Sequence, residues 1–211
     1  MWQGNIGALI VAAGLMMASA LPAVAEPVRI VAFGDSLTAG YQLPAEDAFP
    51  VQLEKALHVK GLEVTIINAG VSGDTTAAGL ARLDWSVADG TDGVILALGA
   101  NDALRGLDPR AAKVNLEKMI NALRGRGIKV FLVGMMAPRN MGAEYVDAFD
   151  SMYSDLAKTY DLPLYPFFLE GVATDAKLNL GDGMHPTGEG VAVIVERMLP
   201  QIEAFSRSLS Q

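Results

Sequence analysis

The 211-residue chain contains no cysteine. Disulfide frameworks, thiolate metal sites and a cysteine nucleophile are therefore excluded. Histidine is scarce: His58 and His185 are the only two, too little material for a histidine-rich zinc site. Basic residues are outnumbered, 16 Lys and Arg against 24 Asp and Glu, for a net charge of −8, and no basic run occurs. That speaks against nucleic acid as a partner, because phosphate-backbone binding needs clustered cations. Aromatics make up only 7% of the chain, few for the stacked platforms of a sugar site. What is abundant is apolar: 51% of residues, with 19% charged, which argues for a sizeable core and against disorder. The length suits one α/β domain and is short for two.

The N-terminus stands apart. Ile6 to Leu21 is almost wholly apolar, and Ala23-Val24-Ala25 before Glu26 is a small-x-small cleavage signature. The segment is short for a spanning helix. Met1 to Asn5 carries no Lys or Arg, which departs from the usual basic start. The expectation is a secretory signal over residues 1–25 and a single domain over 26–211. The mature chain would then be periplasmic or secreted, with no stable membrane anchor.

After Glu26 the chain shows no repeat, linker or low-complexity tract. Short β-branched apolar runs predict strands at Val28 to Phe33, Val64 to Ile67, Gly93 to Leu98, Lys129 to Val133 and, briefly, Leu164-Tyr165. Helical spacing predicts helices over Glu46 to Val59, Thr75 to Trp85, Asp108 to Gly127, Glu144 to Tyr160 and Thr187 to Phe205. The third is marked by Asp108 as N-cap and Pro109 at its first position. Continuous apolar strands alternating with helices indicate a parallel sheet covered on both faces. Ligands of such sheets bind beyond the carboxyl ends of the strands, so the loops there are where chemistry is sought.

Those loops carry four polar segments: Gly34-Asp35-Ser36-Leu37, Asn68 to Asp74 containing Ser72-Gly73, Gly99-Ala100-Asn101-Asp102, and Asp182-Gly183-Met184-His185-Pro186 before the last helix. Acyl transfer requires a nucleophile, a base, a group that orients the base, and donors for the oxyanion. Ser36 follows a strand and a glycine, a position that exposes its hydroxyl. His185 is the candidate base, and Asp182, three residues earlier, is close enough in a tight turn to bond its imidazole. The oxyanion donors are the N–H of Ser36, the N–H of Gly73 and the side-chain amide of Asn101, which donates without carrying charge. Asp35 is read as shaping its own turn, Asp102 as capping the segment that follows it, and His58 as a solvated surface residue. A metal site built on Asp182 and His185 would lack further His or Cys ligands.

The four segments, in this order, resemble the SGNH (GDSL) hydrolases, and most nearly the bacterial periplasmic arylesterase and multifunctional thioesterase/lysophospholipase branch. Ser72-Gly73-Asp74-Thr75, Gly79-Leu80-Ala81-Arg82-Leu83 and Pro163 to Phe168 belong to the likeness, which runs from about Ile30 to Leu199. Gly34-Asp35-Ser36-Leu37 alone would recur by chance in about one such chain in a few hundred. The ordered set is far more specific. The resemblance implies a flavodoxin-like three-layer α/β/α sandwich around a central, mainly parallel sheet. It implies catalysis by Ser36, Asp182 and His185, with Ser36, Gly73 and Asn101 in the oxyanion hole, no metal and no cofactor. The Gly-x-Ser-x-Gly elbow of α/β-hydrolases is absent.

The reading is an esterase acting on small-molecule or lipid esters of short to medium acyl chains, with aryl, thio- and lysophospholipid esters in range. Met135, Met136, Pro138 and Met141 follow the fourth strand and are candidates for holding the acyl group, because methionine adapts to irregular shapes. A carbohydrate O-deacetylase on the same fold is the alternative. A non-catalytic binding protein is a third reading, disfavoured because binding alone does not require the full catalytic set.

Overall fold

The computed structural model describes residues 1–2 and 27–210. The expected signal segment therefore lies, past Trp2, outside the described residues.

Five strands make one sheet: β1 (Val28–Gly34), β2 (Val64–Gly70), β3 (Gly93–Ala97), β4 (Lys129–Val133) and β5 (Leu164–Tyr165). Their order is β2-β1-β3-β4-β5 and every neighbouring pair is parallel. This is the flavodoxin-like order, and the direction of winding reverses between β1 and β3. The helices are α1 (Ser36–Ala39), α2 (Phe49–Val59), α3 (Thr76–Ser86), α4 (Ala100–Leu104), α5 (Pro109–Gly125), α6 (Ala143–Tyr160) and α7 (Gly188–Leu209).

The two-residue period of the strands divides the core. Ile30, Ala32, Ile95 and Phe131 face α2 and α7, meeting Phe49, Leu53, Ile194 and Met198. Val31, Phe33, Val94 and Leu96 face the other way, against Leu83 of α3, Leu116 and Ile120 of α5, and Phe149 and Tyr153 of α6. Two buried layers flank the sheet, giving the α/β/α sandwich.

Three local features depart from the sequence reading. The helix expected from Glu46 divides into a 3-10 turn, Ala45–Asp47, and α2. Pro50 has no N–H to donate back along a continuous helix, so it fits only the first turn of a new one. Strand β2 runs three residues beyond Ile67, because pairing with β1 continues to Gly34↔Gly70. His58 is exposed but not idle: its Nε2 bonds the carbonyl of Val64 at 2.8 Å. One turn earlier on α2, Glu54 accepts from the Ile66 N–H at 2.5 Å. Since β2 is an edge strand, these two side chains occupy backbone groups that would otherwise invite pairing with another chain.

At the carboxyl end of the sheet the packing is backbone on backbone. A Cβ on Gly70 would lie 2.3 Å from the Ala39 nitrogen and 2.7 Å from its Cα, and one on Gly34 would lie 2.7 Å from the Ala97 carbonyl oxygen. Helix α1 sits on the sheet only because those side chains are missing. Gly70→Ala is therefore expected to lower stability by about 1–3 kcal/mol through overpacking. Gly125→Ala is the control: among the described residues nothing lies within 4 Å of its Cβ position, at the end of α5. It should be neutral or stabilising by up to ~1 kcal/mol. Urea midpoints for the two variants measure this directly, and equal midpoints would refute the close-packing account.

Candidate active site

Ser36 is the first residue of α1, so its N–H has no acceptor within the helix and points outward. Asp35 caps the helix through Oδ1, which accepts from Leu37 N at 3.0 Å, and Gly40 closes it in the left-handed conformation at φ 80°. Asp35 does more than shape its turn. It is 2% exposed, and its Oδ2 lies 3.4 Å from Asn101 Nδ2. Burial pushes its carboxyl up to about 6, while the Leu37 N–H and His185 oppose the rise and Asp74 adds to it.

The loop after β2 is drawn against β1 by a bond from Val71 N to the Gly34 carbonyl at 3.0 Å. Gly73 adopts φ 86°, a conformation that a side chain would strain, and its carbonyl accepts from Arg105 Nη2 at 2.8 Å. The carboxylate of Asp74 meets Arg82 Nε at 2.6 Å. Arg82 Nη2 also donates to the Gly34 carbonyl at 2.9 Å, and its guanidinium lies 4.1 Å from the centre of the Phe33 ring. One buried cation thus ties together the end of β1, the Gly73 loop and α3. Sequence reading assigned Arg82 no role. The signal was present, since Arg82 falls on the same buried helical stripe as Gly79 and Leu83.

After β3, Gly99 takes φ 125° and starts α4. A side chain there would collide with the Tyr153 hydroxyl, which itself donates to the Leu98 carbonyl at 2.9 Å. Asn101 Nδ2 donates to the Asp74 carbonyl at 3.0 Å, placing the amide beside the Gly73 loop. Asp102 does not cap its own segment. Buried, it receives the Thr76 N–H at 2.8 Å and the Thr76 hydroxyl at 2.7 Å, anchoring the start of α3.

The Asp182–His185 turn comes over this edge from before α7. Asp182 Oδ1 accepts from the N–H groups of Met184 and His185 at 2.9 and 3.0 Å, and Oδ2 lies 2.6 Å from His185 Nδ1. Those bonds, led by the two backbone donors, hold its carboxyl down at about 2. An ionised carboxylate only accepts, so Nδ1 carries the proton and Nε2 is left as an acceptor. Nε2 lies 2.9 Å from Ser36 Oγ, whose hydroxyl then donates to it. The resulting relay, hydroxyl to imidazole to carboxylate, is suited to removing a proton from Ser36 as it attacks an electrophile.

The methionine segment is dispersed. Met135 lines a void of about 10 Å³ with Asp35, Leu37 and Phe168. Met136 is exposed, Pro138 opens a 3-10 turn, and Met141 lines a separate surface groove with Asp108 and Arg110. Among the described residues, no cluster of three or more His, Cys, Asp or Glu is placed to hold a metal ion.

Comparison with known proteins identifies the family. Residues 32–193 match the GDSL-like lipase/acylhydrolase family. The chain is 43% identical to an arylesterase of Vibrio mimicus over 80% of this chain and 84% of that protein. It is 34% identical to the thioesterase 1/protease 1/lysophospholipase L1 of Escherichia coli over 82% of this chain and 83% of that protein. Among solved structures, AlinE4, an SGNH-hydrolase family esterase, superposes with a TM-score of 0.72 at 46% identity, covering 86% of this chain and 97% of that one. The chain belongs to the GDSL-like lipase/acylhydrolase family.

Proposed function

We propose that this protein is an exported serine esterase that hydrolyses carboxylic esters through an acyl-enzyme on Ser36. The observation that carries the reading is the continuous relay from Ser36 Oγ to His185 Nε2, 2.9 Å, and from His185 Nδ1 to Asp182, 2.6 Å. Ser36 Oγ attacks the carbonyl carbon while Nε2 takes its proton, and the imidazolium rests against Asp182. The oxyanion is received by the N–H groups of Ser36 and Gly73 and by the Asn101 amide. His185 returns the proton to the leaving alcohol, then activates water to release the acid.

The preference is for short to medium acyl groups, aryl or alkyl, with thioesters and lysophospholipids as further candidates on the strength of the relatives' names. Two features support it. The segments leaving the active edge expose apolar side chains, among them Val71, Leu104, Leu107, Met136 and Met184. Beside Asp35 and Leu37, which flank the nucleophile in sequence, the void lined by Met135 and Phe168 holds about 10 Å³, too little for a long chain. Export rests on the apolar N-terminal segment and its Ala23-Val24-Ala25 site, with residues 26–211 as one domain. Among the described residues no helix is long and apolar enough to cross a membrane.

The exported chain, starting at Glu26 by intact mass, should take up one fluorophosphonate, located on Ser36 and absent from Ser36→Ala. His185→Ala should slow hydrolysis of short p-nitrophenyl esters by about 10²–10⁴. Folded, unlabelled wild-type protein would contradict the reading, and so would a preference for acetylated sugars.

The buried Asp35 carries a stability cost of its own. Its carboxyl titrates at about 6 when folded against 3.8 in the free residue, so the folded state holds the proton more tightly and stability falls as pH rises between those values. Asp35→Asn keeps an acceptor for Leu37 N and removes the charge, at the loss of the long 3.4 Å contact that Oδ2 accepts from Asn101. It should raise stability at pH 8 by up to about 3 kcal/mol, with the gain shrinking as pH falls toward 4. Denaturant titrations at the two pH values test this; a gain independent of pH would show that burial does not strain the carboxyl.

A further inference from the structure

The turn that bears the base has few ties to the helix that bears the nucleophile. Among the described residues, Asp182 bonds only backbone and imidazole groups of its own turn. Nothing among the described residues lies within 4 Å of the Cβ positions of Gly181 and Gly183, so none of them packs against the turn on those sides. Its other bonds are to adjoining chain: Leu180 N to the His185 carbonyl at 2.7 Å, and Thr187 N to the Leu178 carbonyl at 2.9 Å. Yet Nε2 must stay within hydrogen-bond reach of a hydroxyl 149 residues away.

Across the gap stands Tyr41. Its ring centroid lies 4.5 Å from that of His185, with the planes inclined at 38°. The backbone of Tyr41, a residue 38% exposed, is tied to the nucleophile's own helix, since Tyr41 N donates to the Ser36 carbonyl at 3.2 Å. The next residue, Gln42, is a non-glycine at φ 58°, and its amide donates to the Tyr41 hydroxyl at 3.2 Å. Such backbone strain is retained where surrounding structure enforces it, and it gathers at functional sites. Ser36, Tyr41, Leu43, His185 and Val191 line one shallow crevice with no room for a further group.

We propose that Tyr41 is a positioning residue for the general base. Its ring face holds the imidazole plane toward Ser36 Oγ, and its negative face favours the imidazolium formed on attack. One short segment, residues 36–42, thereby presents the nucleophile at one end and a backstop for the base at the other. The proposal rests on His185 as the base of Ser36.

The test compares Tyr41→Leu, Tyr41→Phe and Ser36→Ala on one short p-nitrophenyl ester, with thermal midpoints to verify folding. Because the imidazole serves acylation and deacylation alike, Tyr41→Leu should lower kcat and kcat/KM together by about three- to tenfold with KM unchanged. Tyr41→Phe keeps the ring and should stay within about twofold of the wild type, on the same scale. Wild-type kcat in Tyr41→Leu overturns the proposal. So does a loss confined to KM, which would make the ring a substrate contact, or an equal loss in Tyr41→Phe, which would transfer the effect to the hydroxyl. Undiminished turnover by Ser36→Ala would instead sink the esterase reading itself, so the two failures are distinguishable.

Discussion

The site depends on how closely α1 lies against the carboxyl end of the sheet. Gly34 and Gly70, paired across β1 and β2, leave no side chain between the strands and the backbone of Thr38, Ala39 and Ala97. That approach sets where Ser36 stands relative to the strand ends. The buried Arg82 reinforces it, joining the Gly34 carbonyl to Asp74 on the adjoining loop. Neither glycine nor Arg82 reacts with anything in the proposed mechanism. They hold the Gly73 loop to the end of β1, with the Asn101 amide bonded to the Asp74 carbonyl of that loop.

The two carboxylates near Ser36 differ because their surroundings differ. Asp182 is accessible and bonded by two backbone N–H groups, so it stays ionised and holds the imidazole in one tautomer. Asp35 is buried, and burial, with a smaller push from the charge of Asp74, drives it upward. Evolution toward stability would favour an amide at position 35. A negative charge facing His185 instead supports the imidazolium that the proposed reaction forms, a local cost retained where chemistry uses it. The nucleophile and the base arrive by different routes, one from the sheet and one from a self-bonded turn. Contacts such as that of Tyr41 with His185 are where the two are brought into register.

Much of the fold was legible from pattern. Lys129–Val133 and Leu164–Tyr165 form strands at the expected bounds, since each is a short apolar run with nothing helical about its spacing. Asp108 and Pro109 open α5 as their chemistry requires. The misses came where tertiary pairing decided the outcome. The extension of β2 to Gly70 follows from its partner strand, and the tie of His58 to Val64 follows from β2 being at the edge. Of the four loop segments read from the sequence, three meet through side chains, Ser36 with His185 and Asp35 with Asn101, and the Gly73 segment joins them through the Asp74 carbonyl. The methionines were harder to place: Met135 and Met141 lie in different cavities, and spacing along a loop does not say which way it bends. Arg82 and Asp35 were under-read for another reason, as burial of a charge is a property of the assembled layers.

The most direct measurement is a crystal structure of the protein after reaction with a small alkylphosphonate ester. The expected result is phosphorus bonded to Ser36 Oγ, with the phosphoryl oxygen within about 3 Å of the Gly73 nitrogen and Asn101 Nδ2. Phosphorus on another side chain, or a phosphoryl oxygen turned to solvent and touching neither donor, would contradict the assignment of Ser36 and its oxyanion hole.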